Sequence, residues 1–308
     1  MTLARSERFG ALLLVLAAAV GLILANSAFA DTAKTVEEFT FGPAVLGLNL
    51  SVSYWVKDGL LAIFFFIAAI ELRHELRHGE LNSARKALVP SIAAVGGVVV
   101  PAIIFLLIAR GQGVAQGWPI PTATDIAFAL GVLAIVGRGL PPQLRVLLLA
   151  IAVIDDLIAI LIIAAFFTTD LLPLPLLLAI PCVLLFGWLS YRYRKRNRNR
   201  GLIIASLILL GTSTWALVFL SGVHATIAGV ALGLIMADAT ASRTRYAIEP
   251  WSNVIILPLF ALIAALVPVP TVGIEELSPA FWGVLVALPL GKLIGITAGA
   301  VIATRLST

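Results

Sequence analysis

Apolar runs of about 20 residues recur along the whole chain with only short polar breaks, and this feature constrains the fold most strongly. A helix of that length crosses a bilayer while satisfying its own backbone hydrogen bonds. The composition agrees, because 61% of the residues are hydrophobic and only 12% are charged, against about 25% charged in soluble domains. We therefore predict one all-α polytopic transmembrane domain over residues 1–308, with about ten transmembrane helices at 9–30, 55–72, 88–109, 117–137, 146–169, 174–191, 201–220, 222–240, 250–268 and 279–304.

The lysines and arginines predict the orientation of these helices. With the N-terminus inside, 17 of the 21 basic residues fall in inner segments and three fall outside. Positive charge concentrates in the cytoplasmic loops of membrane proteins, so both termini are predicted to be cytoplasmic. The isoelectric point of about 9.7 then reflects short inner loops such as 191–200, and we expect no nucleic-acid partner.

The first apolar run is also compatible with a signal peptide. Residues 25–30 read ANSAFA, which resembles a cleavage site before Asp31. The apolar run is longer than the roughly 7–15 residues of such peptides. We therefore favour a retained helix, with cleavage as the alternative.

Four ionisable residues lie well inside predicted spans, at Asp125, Asp155, Asp156 and Lys292. Each costs roughly 2.5 to 3.5 kcal/mol near the centre of a bilayer, so such residues usually mark a pathway or site. A buried ion pair that only locks helices together is the structural alternative for Lys292 and one carboxylate. Asp155 and Asp156 are adjacent on a predicted helix and diverge by about 100°, so they serve different faces.

Asp125 lies in the segment GWPIPTATDIAFALG at 117–131. Its two prolines each remove a backbone donor and disfavour helix before them. We predict a broken helix near 117–126, which at membrane depth lines a cavity or is buried in protein. A helix that simply begins after the prolines is the alternative.

Several segments resemble the NhaA family of sodium/proton antiporters over nearly the whole chain. They are WVKDGLLAIFFFIAAIELRHEL (55–76), PTATDIAFALGVLAIVG (121–137), RVLLLAIAVIDDLIAILIIA (145–164), SGVHATIAGVALG (221–233) and GKLIGI (291–296). The TDIAFALG and VIDDL segments together are specific. Interrupted helices around a midplane site are a known feature of transporters, this family among them.

The resemblance implies roles for individual residues. Asp156 resembles the main cation- and proton-binding carboxylate, and Asp155 resembles its partner, which pairs with a lysine matched by Lys292. Asp155 and Asp156 are thereby implied as ligands of the transported metal ion, and Asp125 and Thr124 resemble residues at the helix break. A final group, Glu71, Glu75 and His224, resembles residues of a pH-sensing system.

The implied function is a pH-regulated antiporter of the bacterial inner membrane that exports Na⁺ or Li⁺ in exchange for H⁺. These ions are substrates, so no cofactor and no enzymatic activity are expected. The lipid bilayer is the expected partner, and a homodimer is one option. Position 74 is a histidine where the family tends to have an arginine.

The family has twelve spans and this sequence ends after its tenth, which leaves open a truncated, transport-inactive homologue or scaffold. A cation channel would use the same carboxylates without proton coupling. An intramembrane aspartic protease is a further alternative, but adjacent aspartates are not its pattern.

Overall fold

The computed structural model describes residues 7–79, 82–110, 113–124, 129, 133, 137, 139, 141–167, 171–193 and 200–307. Helices dominate these ranges, and the two strands form a short antiparallel ribbon. The elements are α1 Glu7–Ala25, α2 Ala30–Glu38, β1 Thr40–Phe41, β2 Leu50–Ser51, α3 Val52–Tyr54, α4 Leu61–His78, α5 Ala84–Ile108, α6 Pro142–Phe167, α7 Pro173–Arg192, α8 Arg200–Leu220, α9 Thr226–Ile235, α10 Asp238–Trp251, α11 Leu257–Ala264, α12 Pro279–Val286 and α13 Lys292–Ser307.

Three π-helical turns join consecutive helices into longer stretches, at Trp55–Leu60, Ser252–Ile256 and Ala287–Gly291. Within the described residues, five helical stretches are long and apolar enough to cross a bilayer. They are Lys86–Ile108, Pro173–Arg192, Arg200–Leu220, Asp238–Ala264 and Pro279–Leu306. A sixth results if α1 and α2, which are bent by 112° at their junction, count as one span. The all-helical polytopic membrane fold is thus confirmed.

Large apolar side chains cover the outside of these helices, as expected for a surface that faces lipid. Leu107 is 65% exposed on α5, Leu174 is 66% exposed on α7 and Leu209 is 66% exposed on α8. A soluble protein rarely exposes apolar surface on such a scale, because burying it is the main favourable contribution to folding.

The chain divides into two compact units. The first comprises Met1–His74 and Thr168–Val269, and the second comprises Glu75–Phe167 and Pro270–Thr308. Each unit draws on separate stretches of the sequence, so neither is a continuous segment. The single transmembrane domain inferred from the sequence stays a prediction.

The first unit is built around α4, α7, α8 and α9. Ile70, Phe186, Leu207 and Met236 are buried together at its centre. In the same unit α1 packs on α11 at Gly21, where an added Cβ would stand 3.2 Å from the Cβ of Ala265.

In the second unit, α5 packs between α6 and α13. Ala93 and Ala94 are fully buried beside Ile151 of α6. Gly96 of α5 and Gly295 of α13 meet backbone to backbone, because a Cβ on either would overlap the other's carbonyl oxygen. Small residues allow this close approach, which is typical of helices packed within membranes.

The helix boundaries between residues 222 and 250 differ most from the sequence prediction. The span predicted at 222–240 is a helix of only ten residues, Thr226–Ile235, and α10 already begins at Asp238 rather than near 250. Ser190 explains the break, because its hydroxyl accepts a hydrogen bond from Ala237 N at 2.9 Å. Arg73 stabilises both sides of the break, since it donates to Leu234 O at 2.6 Å and pairs with Asp238 at 3.1 Å.

Residues 115–124 contain no α-helix and form two short 3-10 turns followed by extended backbone. These residues fit the predicted broken helix near 117–126 and equally fit the alternative of a helix that begins after the prolines, so the broken helix stays a prediction. Asp125 and most of the predicted span that follows it lie outside the described residues.

Candidate functional site

Lys292 begins α13, directly after the π-helical turn Ala287–Gly291. Pro289 lies in this turn and has no N–H, so the regular α-helical hydrogen-bond pattern is interrupted there. The preceding Gly291 lies against Pro101 of α5, where an added Cβ would stand 2.6 Å from the proline Cα. The close packing of α13 on α5 therefore fixes the backbone from which Lys292 extends.

Asp155 lies on α6 and is almost fully buried, with 1% of its surface exposed. Its Oδ2 forms an ion pair with Lys292 Nζ and also accepts a hydrogen bond from Thr124 Oγ1. The pairing that the resemblance implies is therefore present in the structure. Lys292 is only 14% exposed, so both charges are largely removed from solvent.

The second carboxylate oxygen of Asp155 is different. Oδ1 is buried and has no hydrogen-bond partner among the described residues. Gly97 of α5 faces it, because a Cβ on this glycine would stand 3.7 Å from Oδ1. A buried acceptor without a partner is costly, so such an atom marks a place where a ligand or proton can bind.

The interrupted segment contributes directly to this cluster. Ile120–Thr122 forms a 3-10 turn, and the Thr122 carbonyl accepts a hydrogen bond from Lys292 Nζ at 2.5 Å. Thr124 follows the turn, outside any helix or strand, and donates to Asp155. Residues from three separate parts of the sequence thus converge on one buried ion pair.

Oxygen atoms predominate around the pair, as carboxylate, hydroxyl and carbonyl groups. Hard cations prefer such oxygen ligands. A buried carboxylate with one oxygen engaged, and with the other unpartnered in the part of the chain that the structure describes, can bind either a small cation or a proton at that second oxygen. The cluster is therefore chemically suited to exchange of the two.

Two predicted members of the site lie outside the described residues or side chains. Asp125 is outside the described residues, and Asp156 lies on α6 but its side chain is not described. Their predicted roles stay predictions.

Glu71 lies in the first unit, in an ion pair with Arg245 of α10 at 3.3 Å. Arg245 also approaches Glu249 at 3.5 Å. A cavity of about 280 Å³ opens beside Arg245, lined by Ile70, His74, Ser242, Tyr246 and Glu249. Glu75, one helical turn after Glu71, is half-buried on the same helix α4.

His224 is half-exposed in the turn between α8 and α9, outside the helices. Its Nδ1 lies 3.5 Å from Oδ1 of Asp58, a residue whose main-chain carbonyl accepts a hydrogen bond from Trp215 at 2.9 Å. The Asp58 carboxylate raises the pKa of His224, first as a hydrogen-bond acceptor and also by its negative charge, while partial burial opposes this. The positive form of the imidazole is thereby favoured.

Asp58 and Arg245 were not identified from the sequence as members of these sites, and the contact of Thr122 with Lys292 was not identified either. The sequence could have indicated Asp58 as a site residue, because it is an acidic residue at the outer end of the predicted span 55–72. Nothing in the sequence indicated Arg245, since a basic residue in an inner loop is ordinary. Thr122 acts through its backbone carbonyl, which every residue carries, so its side chain could not reveal the contact.

Known proteins similar to this chain are named as antiporters. A family model described as Na⁺/H⁺ antiporter 1 matches residues 1–308. The Na⁺/H⁺ antiporter NhaA 2 of Clavibacter michiganensis is 53% identical over 299 residues, which cover 97% of this chain and 73% of the relative. The antiporter NhaA of Tropheryma whipplei is 44% identical, with 99% of this chain and 79% of the relative covered. The antiporter NhaA of Thermobifida fusca is 42% identical, with shares of 99% and 77%.

The match to a family model over the whole chain agrees with the apolar helices of the structure. The level of identity to the curated relatives is far above that expected for unrelated membrane proteins of similar composition. The chain therefore belongs to the Na⁺/H⁺ antiporter 1 family, the NhaA antiporters.

Proposed function

We propose that this chain exchanges Na⁺ or Li⁺ for H⁺ across the bacterial cytoplasmic membrane. The observation that carries the proposal is the buried Asp155 carboxylate, whose Oδ2 is held by Lys292 while Oδ1 has no partner among the described residues. The relatives are named as Na⁺/H⁺ antiporters, which supports the same activity, since this chain matches them over nearly its whole length.

The proposed mechanism is competition between a cation and protons for the same carboxylates. Asp156 is the main site, and Asp155 assists it while paired with Lys292. Thr124 and Asp125 supply further oxygens at the interrupted segment. Because the cation and the proton occupy the same group, release of one is required for binding of the other, and this couples their opposite movements.

The proposed orientation places both termini in the cytoplasm, because basic residues concentrate in the inner segments. Lipid covers the exposed apolar faces of the helices. A homodimer is part of the proposal, and the mass of the detergent-solubilised protein tests it.

We further assign regulation by pH to Glu71, Glu75 and His224. Two of these, Glu71 and His224, are held in ion pairs, with Arg245 and with Asp58. A change of protonation would break such a pair and so alter the packing of the helices that carry it. His224 is the best placed, because its ordinary pKa lies within the physiological range.

The test uses the full chain in proteoliposomes loaded with a pH-sensitive dye. We expect added Na⁺ to release the quenched dye in the unaltered protein, and Asp156→Asn to abolish the response. Asp31→Asn is the matched control, because it makes the same chemical change on α2, distant in sequence from the proposed site.

The alternatives give different results in the same vesicles. A channel carries labelled Na⁺ without any proton-linked signal. A transport-inactive homologue carries neither ion. An unchanged dye response after Asp156→Asn refutes the assignment of the main site.

A further inference from the structure

The 3-10 turn before the site is held by a pair of hydrogen bonds to one carbonyl. Pro119 O accepts from Thr122 N at 3.0 Å and from Thr122 Oγ1 at 2.7 Å. Pro121 has no N–H to add, so the C-terminal end of the turn is held by these two bonds from Thr122 and by a longer one from Ala123 N to Ile120 O at 3.4 Å. Thr122 is fully buried, with 0% of its surface exposed.

The orientation of this turn determines where the carbonyl of Thr122 points. That carbonyl accepts a hydrogen bond from Lys292 Nζ at 2.5 Å, while the same ammonium group pairs with Asp155 Oδ2. An ammonium group has three donors, so both partners are bound together. The two partners differ in kind, because a carbonyl neither takes up a proton nor changes its charge.

We propose that Thr122 is a positioning residue whose hydroxyl locks the turn so that its own carbonyl holds Lys292 independently of Asp155. When a cation or proton neutralises Asp155, Lys292 keeps the Thr122 carbonyl as a partner and stays in place. The proposal rests on the antiport function argued above, and it adds a residue that orients the lysine without touching the transported ion.

Loss of the hydroxyl makes Lys292 depend more on Asp155. The ammonium then competes more strongly with Na⁺ for the carboxylate, so the apparent KM for Na⁺ rises while the maximal rate changes less. One neutral hydrogen bond is worth about a factor of two to ten in an equilibrium, and we expect a KM increase in that range.

Thr122→Val removes the hydroxyl with little change of shape, and Thr122→Ser retains it. The matched control is Thr214→Val on α8, where a fully buried threonine donates to Leu210 O at the same 2.7 Å. We expect a raised KM for Thr122→Val only. An unchanged KM, or an equal rise for Thr122→Ser or Thr214→Val, overturns the proposal.

A measurement of stability tests the same idea without transport. Thr122→Val is compared in the unaltered chain and in Asp155→Asn, where the Thr122 carbonyl is the remaining partner of Lys292 among the hydrogen bonds that the structure describes. We expect the rise in the unfolding equilibrium constant caused by Thr122→Val to be at least about threefold larger in Asp155→Asn. An equal rise in both backgrounds refutes the positioning role.

The two measurements also separate the proposals. Absence of antiport in the unaltered protein refutes the proposed function, while the stability comparison still decides on Thr122. If Thr122→Val does not fold, Thr122→Cys replaces it, because a thiol is only a weak donor, and the same direction is expected.

Discussion

Removing one member of the Asp155–Lys292 pair should destabilise the protein by an amount that depends on which partner remains. Breaking a buried ion pair costs about 3–5 kcal/mol, because the remaining charge is left uncompensated. In Lys292→Met the remaining Asp155 has a side chain that is 2% exposed, and Thr124 is its remaining donor among the described residues. We therefore expect Lys292→Met to lower the free energy of unfolding by an amount at the upper end of this range, about 5 kcal/mol.

In Asp155→Asn the remaining Lys292 is better placed. It keeps the Thr122 carbonyl, and its side chain is 14% exposed, so the ammonium retains some contact with solvent. We therefore expect Asp155→Asn to lower the free energy of unfolding by an amount at the lower end of the range of about 3–5 kcal/mol, that is about 3 kcal/mol. The double variant should cost less than Lys292→Met alone, because neither charge of this pair is left without its partner.

The assay is unfolding in mixed detergent and dodecyl sulfate micelles, followed by the fluorescence of the six tryptophans. The control is Lys34→Met, which breaks the exposed pair with Glu38 on α2. An exposed pair contributes about 0–1 kcal/mol. A cost below about 1 kcal/mol for both site variants contradicts a buried pair. A larger loss of stability for Asp155→Asn than for Lys292→Met contradicts the argument that the remaining partners of each charge determine the loss.

Two further predictions follow from packing and from charge. Gly295→Ala should lower stability by about 1–3 kcal/mol and impair antiport, because the new Cβ separates α13 from α5 at Gly96. The control is Gly201→Ala, a helical position with open space around the new Cβ. Equal effects of the two substitutions contradict the packing argument. For His224 the pKa is raised in the folded state, so its stabilising pair with Asp58 is present below the ordinary pKa and is lost as pH rises through the raised value. His224→Gln should therefore lower the melting temperature at acidic pH and have no effect at alkaline pH. The pair contributes less than about 1 kcal/mol to the free energy of unfolding, because the imidazole is half-exposed. A fall in melting temperature that does not vary with pH contradicts this prediction.

The sequence alone determined the membrane class of this protein and the residue types at its candidate site. Both depend on local properties, because a 20-residue apolar run can be measured for hydropathy without knowing its neighbours. A charged residue in such a run is costly wherever it lies, so Asp155 and Lys292 were identifiable before any contact was known. Reading the residues one by one did not establish their pairing, which only the family resemblance implied.

Only the tertiary structure decided which groups meet. Lys292 bonds a carbonyl that is 170 positions away in the chain, and this contact depends on how closely α13 packs on α5. The end of α9 was likewise set by Ser190 and Arg73 from other helices, and no pattern within residues 222–240 indicated it. Hydrogen bonds between distant segments depend on helix packing, which is a property of the assembled bundle rather than of any single run.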